Sequence, residues 1–284
     1  MLKINIGQQV LYLLPQKNIK ELQATGALGP ILKWIEMPNL KENKDKKEGE
    51  KDEPTEEVPA TAEETAEETA EETVEEIAKE MANKEIATAK MLDIIQELES
   101  FSPTEGFKIA VVAYAKSYKK LVQLFKSFYK VQEAAGGLVR QQESGKILAI
   151  FRRGHWDMAK GKTEKNESIE QTAVREVQEE TGIKNIDLQE FITTTYHTYN
   201  GQPLQFQQLS TQNLNVRRRM LKVSHWYQME TPDVLLVPQT EEDIEGIAWL
   251  DYADFLQKTP IFTNILDVLR LAKAKFTQDD EAAL

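Results

Sequence analysis

Gly161 to Ile183 reads GKTEKNESIEQTAVREVQEETGI. Ser168, with Gln171 three residues later, is a capping-box pattern and opens a helix. Ile169, Ala173 and Val177 fall on one apolar face, which Val174 widens. Gly182 supplies a left-handed stop. Glu176, Glu179 and Glu180 stand at i, i+3 and i+4, so their carboxylates meet within one turn. Three anions this close repel and raise one another's pKa values unless a cation sits among them. Hard divalent ions take carboxylate oxygens, and Mg²⁺ characteristically adds water and substrate phosphate. Arg175 is placed to hold a carboxylate through two hydrogen bonds. On spacing alone, a solvated acidic face is the competing account.

The whole stretch has a longer pattern: Gly161, five residues, Glu167, seven residues, Arg175-Glu176-Val177, one residue, Glu179-Glu180, one residue, Gly182-Ile183. This resembles the Nudix box at each defining position. The resemblance implies an α/β fold, an α/β/α sandwich with a mixed sheet, in which the box forms a loop–helix–loop. It implies an enzyme that hydrolyses a nucleoside diphosphate linked to another group. Glu176, Glu179 and Glu180 would hold Mg²⁺, with Mn²⁺ as a substitute, and the Gly161 carbonyl would be a further ligand. Arg175 would fix the glutamates, Glu167 would support the loop through Arg175, and Gly182 would be structural. Metal ions offset diphosphate charge and lower the pKa of bound water, while a carboxylate accepts the proton. Glu179 is the favoured base. Outside the box, Glu242 comes first among Glu241-Glu242-Asp243.

The resemblance extends over about Lys130 to Leu269. It includes Glu133 to Val139, Lys146 to Arg153, Gly154-His-Trp-Asp157, Lys160-Gly-Lys162, Thr195 to Tyr199 and Ser224-His-Trp-Tyr227. It is closest to the diadenosine and diphosphoinositol polyphosphate hydrolase-like branch, in its Bacteroidetes-type members with an added N-terminal α/β unit. Met158-Ala159 departs from the Leu-Pro of that branch, which frees the backbone before Gly161 and puts the loop's placement in question. On the substrate side, Arg152, Arg153, Lys160 and Lys162 suit phosphate oxygens. His197 and Lys222 are further candidates, and Trp156, Tyr196 and Tyr199 offer faces for a base. Arg217-Arg218-Arg219 reads as a basic run in a loop. A three-histidine zinc centre is not expected beside a carboxylate site.

The rest of the chain explains its charge. The protein has 284 residues and a net charge of −12. From Lys41 to Glu80 there are 17 acidic and 6 basic residues, so this stretch carries −11 of it. The remainder is nearly neutral and gives no reason to exclude an anionic substrate. Lys41 to Glu57 is mixed charge without an aromatic residue, and TAEE, TAEE, TAEE, TVEE follows from Thr61. The expected organisation is a small N-terminal α/β unit at 1–37 and 84–129, a disordered acidic insert at 38–83, a Nudix domain at 130–276 and a tail at 277–284. A helix is expected over Lys84 to Glu99. There is no cysteine and no apolar run long enough to span a bilayer. Nor does the chain open with a basic segment and an apolar block. A cytoplasmic protein without membrane or direct nucleic-acid binding is expected, with a phosphorylated small molecule as its partner and a dinucleoside polyphosphate-like substrate favoured. The competing function is a non-hydrolytic nucleotide-binding regulatory module.

Overall fold

The computed structural model describes residues 1–6, 9–25, 33–38, 40, 62–100, 110–203 and 217–282. Side chains are described over the same residues except 62–77, 202–203, 217–218 and 274–282. In chain order the elements are β1 (Leu2–Ile6), β2 (Gln9–Pro15), α1 (Ile19–Thr25), β3 (Lys33–Glu36), α2 (Ala62–Ser100), β4 (Ala110–Ala115) and α3 (Tyr118–Ser127). There follow β5 (Lys130–Gln141), β6 (Ile147–Arg152), β7 (His155–Asp157), β8 (Lys160–Lys162), α4 (Ile169–Thr181), β9 (Asp187–Pro203), β10 (Arg217–Thr231), β11 (Ile244–Leu250), α5 (Tyr252–Gln257) and α6 (Thr263–Ala282). None of the described helices is long and apolar enough to cross a membrane.

The chain divides into two compact units. The first comprises Met1–Leu2 and Gln9–Phe128. In it β4 lies between β2 and β3, parallel to both. Val10, Tyr12, Leu14, Ile19 and Val112 form a core against which Leu22 and Trp34 pack. In α2 the buried residues Ala87, Met91, Ile94, Ile95 and Leu98 recur at three and four, the stripe a helix needs to dock one face. This helix begins at Ala62, well before Lys84, and takes in the TAEE repeats. Alanine and glutamate are strong helix formers, and that preference acts against the i,i+4 repulsion of the glutamates. The earlier part of the acidic insert, 41–61, lies outside the described residues.

The second unit comprises Lys3–Gln8 and Tyr129–Leu284. Its mixed sheet has the order β11-β6-β5-β10-β9-β1, with β7 on β6 and β8 on β5. The long strands β5 and β10 run parallel from Lys130/Met220 to Gln141/Thr231, while β9 is antiparallel to β10. One face packs on α4 through Ala135, Val139, Leu148, Ala173, Val177 and Met229. The other packs on α5 and α6 through Leu138, Ala149, Met158, Trp226, Phe255, Ile265 and Leu269. The result is the expected α/β/α sandwich.

Three local differences from the sequence reading have simple causes. Residues 3–6 belong to the second unit, because β1 adds to β9 with Ile4 opposite Tyr196 and Ile6 opposite Thr198. Arg217-Arg218-Arg219 is the start of β10 rather than a loop, since its backbone pairs with β9. Helix α6 continues to Ala282 through residues set apart as a tail.

Gly136 lets β8 come against β5, and Gly137 makes room for Met229 of β10. A Cβ at Gly136 would stand 2.1 Å from the Ala159 carbonyl oxygen, and one at Gly137 would stand 2.4 Å from Met229 Sδ. The Met158-Ala159 segment is held despite its missing proline. Both side chains are buried, and the Ala159 carbonyl accepts from Gly137 N at 3.2 Å.

Candidate active site

Helix α4 is placed by its ends. Ser168 Oγ accepts from Gln171 N at 3.2 Å and Gln171 Oε1 accepts from Ser168 N at 2.8 Å, closing the capping box. Gly182 ends the helix at φ 75°, a conformation that favours glycine. Beyond it, Val237 N donates to the Thr181 carbonyl and Gln239 N to the Glu180 carbonyl. These bonds dock the segment leading to Glu242 against the end of the helix.

Arg175 organises one side of the site. Its Nε and Nη2 donate to the two oxygens of Glu167 at 2.7 and 2.9 Å. Nη1 donates to Glu176 Oε1 and Glu179 Oε2, both at 2.8 Å. Nη2 also donates to the Lys162 carbonyl at 3.0 Å. All five N–H groups of the guanidinium are thereby engaged. Glu167 further accepts from Thr172 Oγ1 and Glu164 N. These hydrogen bonds, led by that from Arg175, hold its carboxyl down at about 2.

The three box glutamates occupy different environments. Glu179 is half exposed. Glu176 is largely covered, and burial raises its pKa. Its carboxylate rests against Gly161, where a Cβ would come within 1.8 Å of Oε2. Glu180 is 2% exposed. Its Oε2 accepts from Lys160 N at 3.0 Å and its Oε1 from Arg152 Nη1 at 3.4 Å. Burial pushes it up to about 7 against the pull of Lys160 and Arg152. Among the described residues, no three acidic or histidine side chains are already gathered as a cation site. Arg175 draws Glu176 and Glu179 to itself, while Glu180 is bonded to the β8 backbone. The donor chemistry nevertheless fits a hard divalent ion: carboxylate oxygens only, one deeply buried, and a glycine at the closest approach.

The predicted substrate residues are distributed unevenly. Lys160 is 4% exposed, and its Nζ donates to Asp157 Oδ2 at 2.6 Å. Arg152 Nε donates to the same oxygen at 2.9 Å. Arg153, at φ 50°, is exposed and paired with Asp243 at 2.8 Å. Lys162 is exposed, and its carbonyl serves Arg175. Glu242 lies in a 3-10 turn, Thr240–Glu242, close enough for its charge to raise the pKa values of Glu176 and Arg152. His155 stacks on Phe262, and Trp156 packs against Phe151 with Lys258 over its ring.

His197 and Lys222 stand opposite each other in the sheet, with Asn5 of β1 next in the row. Burial, with Lys222 adding to it, pulls His197 down to about 4. Burial and the charges of Lys160 and Arg152 pull Lys222 down to about 8. His197 Nδ1 and Ser224 Oγ are buried without a hydrogen-bond partner among the described residues. Asn5, Ser224 and the pairing role of Asp157 escaped the sequence reading. Strand alternation places Ser224 on the Lys222 face, but nothing in the order of residues brings Asn5 to His197.

The family model described as NUDIX domain matches residues 130–271. Among solved structures, the chain is similar to the MutT protein from Methanosarcina mazei Go1, at 17% identity over 52% of this chain and 96% of that one, with a TM-score of 0.37. A C. elegans Ap4A hydrolase binary complex matches at 18% identity over 52% and 98%, TM-score 0.37. The NUDIX domain of Shewanella oneidensis NrtR, complexed with ADP ribose, matches at 18% identity over 53% and 92%, TM-score 0.38.

Proposed function

We propose, for a chain that belongs to the NUDIX domain family and is a Nudix hydrolase, that it cleaves a diphosphate linkage in a nucleoside diphosphate derivative or related polyphosphate, with dinucleoside polyphosphates as the favoured class. The observation that carries this reading is the fork of Arg175 across Glu167, Glu176 and Glu179 beside the buried Glu180. Glu176, Glu179, Glu180 and the Gly161 carbonyl would hold Mg²⁺, with Mn²⁺ able to replace it. The bound ion supplies charge neutralisation at the diphosphate and a lowered pKa for water.

The remaining work falls to side chains. Arg175 keeps one oxygen of Glu179 occupied; the other, on a half-exposed group, would face the ion and the water beside it, where it would accept that water's proton. Glu242 is the alternative acceptor. Lys162, Arg153 and Lys222 offer positive charge to the flanking phosphates. A panel of dinucleoside polyphosphates, nucleoside triphosphates, nucleotide sugars and diphosphoinositols, assayed with Mg²⁺ and Mn²⁺, tests the reading. Glu179→Gln and Glu180→Gln are each expected to lower kcat by about 10²-fold or more, the size of a general-base or metal-ligand contribution. Full turnover in both variants, or turnover unaffected by chelator, would refute it.

A further inference from the structure

We propose that Asp157 is a positioning residue. It holds Arg152 and Lys160 away from Glu180, so that Glu180 stays available to a divalent cation. The proposal rests on the reading of Glu180 as a metal ligand. Asp157 is buried and both of its oxygens are engaged: Oδ2 receives Lys160 Nζ at 2.6 Å and Arg152 Nε at 2.9 Å, and Oδ1 receives Met158 N at 2.8 Å. The same two cations are the neighbours of Glu180, but at a distance or through the backbone. Arg152 reaches it only at 3.4 Å, beyond the 2.7–2.9 Å or so of a charge-assisted bond. Lys160 gives it a main-chain N–H rather than its ammonium.

The competition follows from the low dielectric of the site. Two buried cations require a buried anion, and two carboxylates lie within their reach, Asp157 and Glu180. Each is an electrostatic partner of both Arg152 and Lys160. With Asp157 taking the short bonds, Glu180 is met by no close cation, only by the Lys160 main-chain N–H and the long Arg152 contact. Without Asp157, the guanidinium and the ammonium turn to Glu180 and stand where a metal ion would bind. The short turn from β7 to β8 delivers Asp157 and Lys160 three residues apart, so one loop sets both members of the clamp.

Titration of the full chain with Mn²⁺, followed by calorimetry, tests this directly. Wild type is expected to bind, and Asp157→Asn to bind about tenfold more weakly or worse, the usual size of an outer-shell effect on a metal site. Adding Arg152→Gln to Asp157→Asn is expected to recover part of that affinity, because the displaced guanidinium is gone while the Lys160 ammonium remains; a purely structural defect would not recover. Unchanged affinity in Asp157→Asn, or no recovery in the double variant, overturns the proposal. If Asp157→Asn fails to fold, the double variant is compared with Arg152→Gln alone: Mn²⁺ affinities within about threefold support the proposal, because Asp157 has no guanidinium left to hold, and a double variant about tenfold weaker overturns it. Failure of the wild-type protein to bind Mn²⁺ overturns it together with the metal reading beneath it.

Discussion

Arg175 shows how much one side chain can decide. Its planar fork satisfies two oxygens of Glu167 and one each of Glu176 and Glu179. A lysine keeps the charge but not the directions. Charge-assisted bonds contribute about 1.5–3 kcal/mol each, so Arg175→Lys is expected to lower kcat by about 10²-fold, measurable with any substrate the panel identifies. Glu167 gives a pH signature. Its folded pKa of about 2 lies below the ordinary 4.5, so the unfolded chain binds its proton first as pH falls. Its stabilisation is therefore present above about pH 4.5 and disappears toward pH 2. Urea midpoints should place Glu167→Gln below wild type at pH 7, with the gap closing at pH 3. A gap of equal size at both values would show that the carboxylate's charge is not what matters.

At the scale of elements, the site depends on backbones that approach closely. Gly161 admits the Glu176 carboxylate where any side chain would collide with it. Gly161→Ala is expected to leave the fold intact by circular dichroism and to cost on the order of 10²-fold in kcat, as displaced reacting groups do. Gly136→Ala is a different test. Its Cβ would meet the Ala159 backbone, so it should lower stability by about 1–3 kcal/mol, as overpacking does, with a matching fall in Tm. Strand β1 also acts at this scale. Ile4 is fully buried and pairs with Tyr196 of β9, so Ile4→Ala is expected to cost about 2–5 kcal/mol. Faster hydrogen exchange in β9 amides would locate that loss in the second unit.

Across the whole molecule, charge and chemistry occupy different parts of the chain. Most of the negative charge lies in Lys41–Glu80, whereas the candidate site is built from β6, β7, β8, α4 and the turn at Glu242. Deleting Lys41–Glu76 is expected to leave hydrolysis unchanged in a steady-state assay; loss of turnover would assign that segment a role in catalysis. The box, its helix and the roles open to its glutamates were legible in the residues. Capping, a 3.6-residue apolar period and carboxylates one turn apart are local rules that a linear chain displays. Contacts distant in sequence were not legible: the register that sets His197 between Asn5 and Lys222, the membership of β1 in the second unit, and the partners of Lys160. Lys160 in a basic run reads as a substrate contact, and nothing in the order of residues shows that its ammonium lies on Asp157. The sequence by itself determined which groups exist and which local structures hold them. Only the tertiary structure decided which charges face water and which face each other, because burial and pairing arise from strands and helices that meet across the fold.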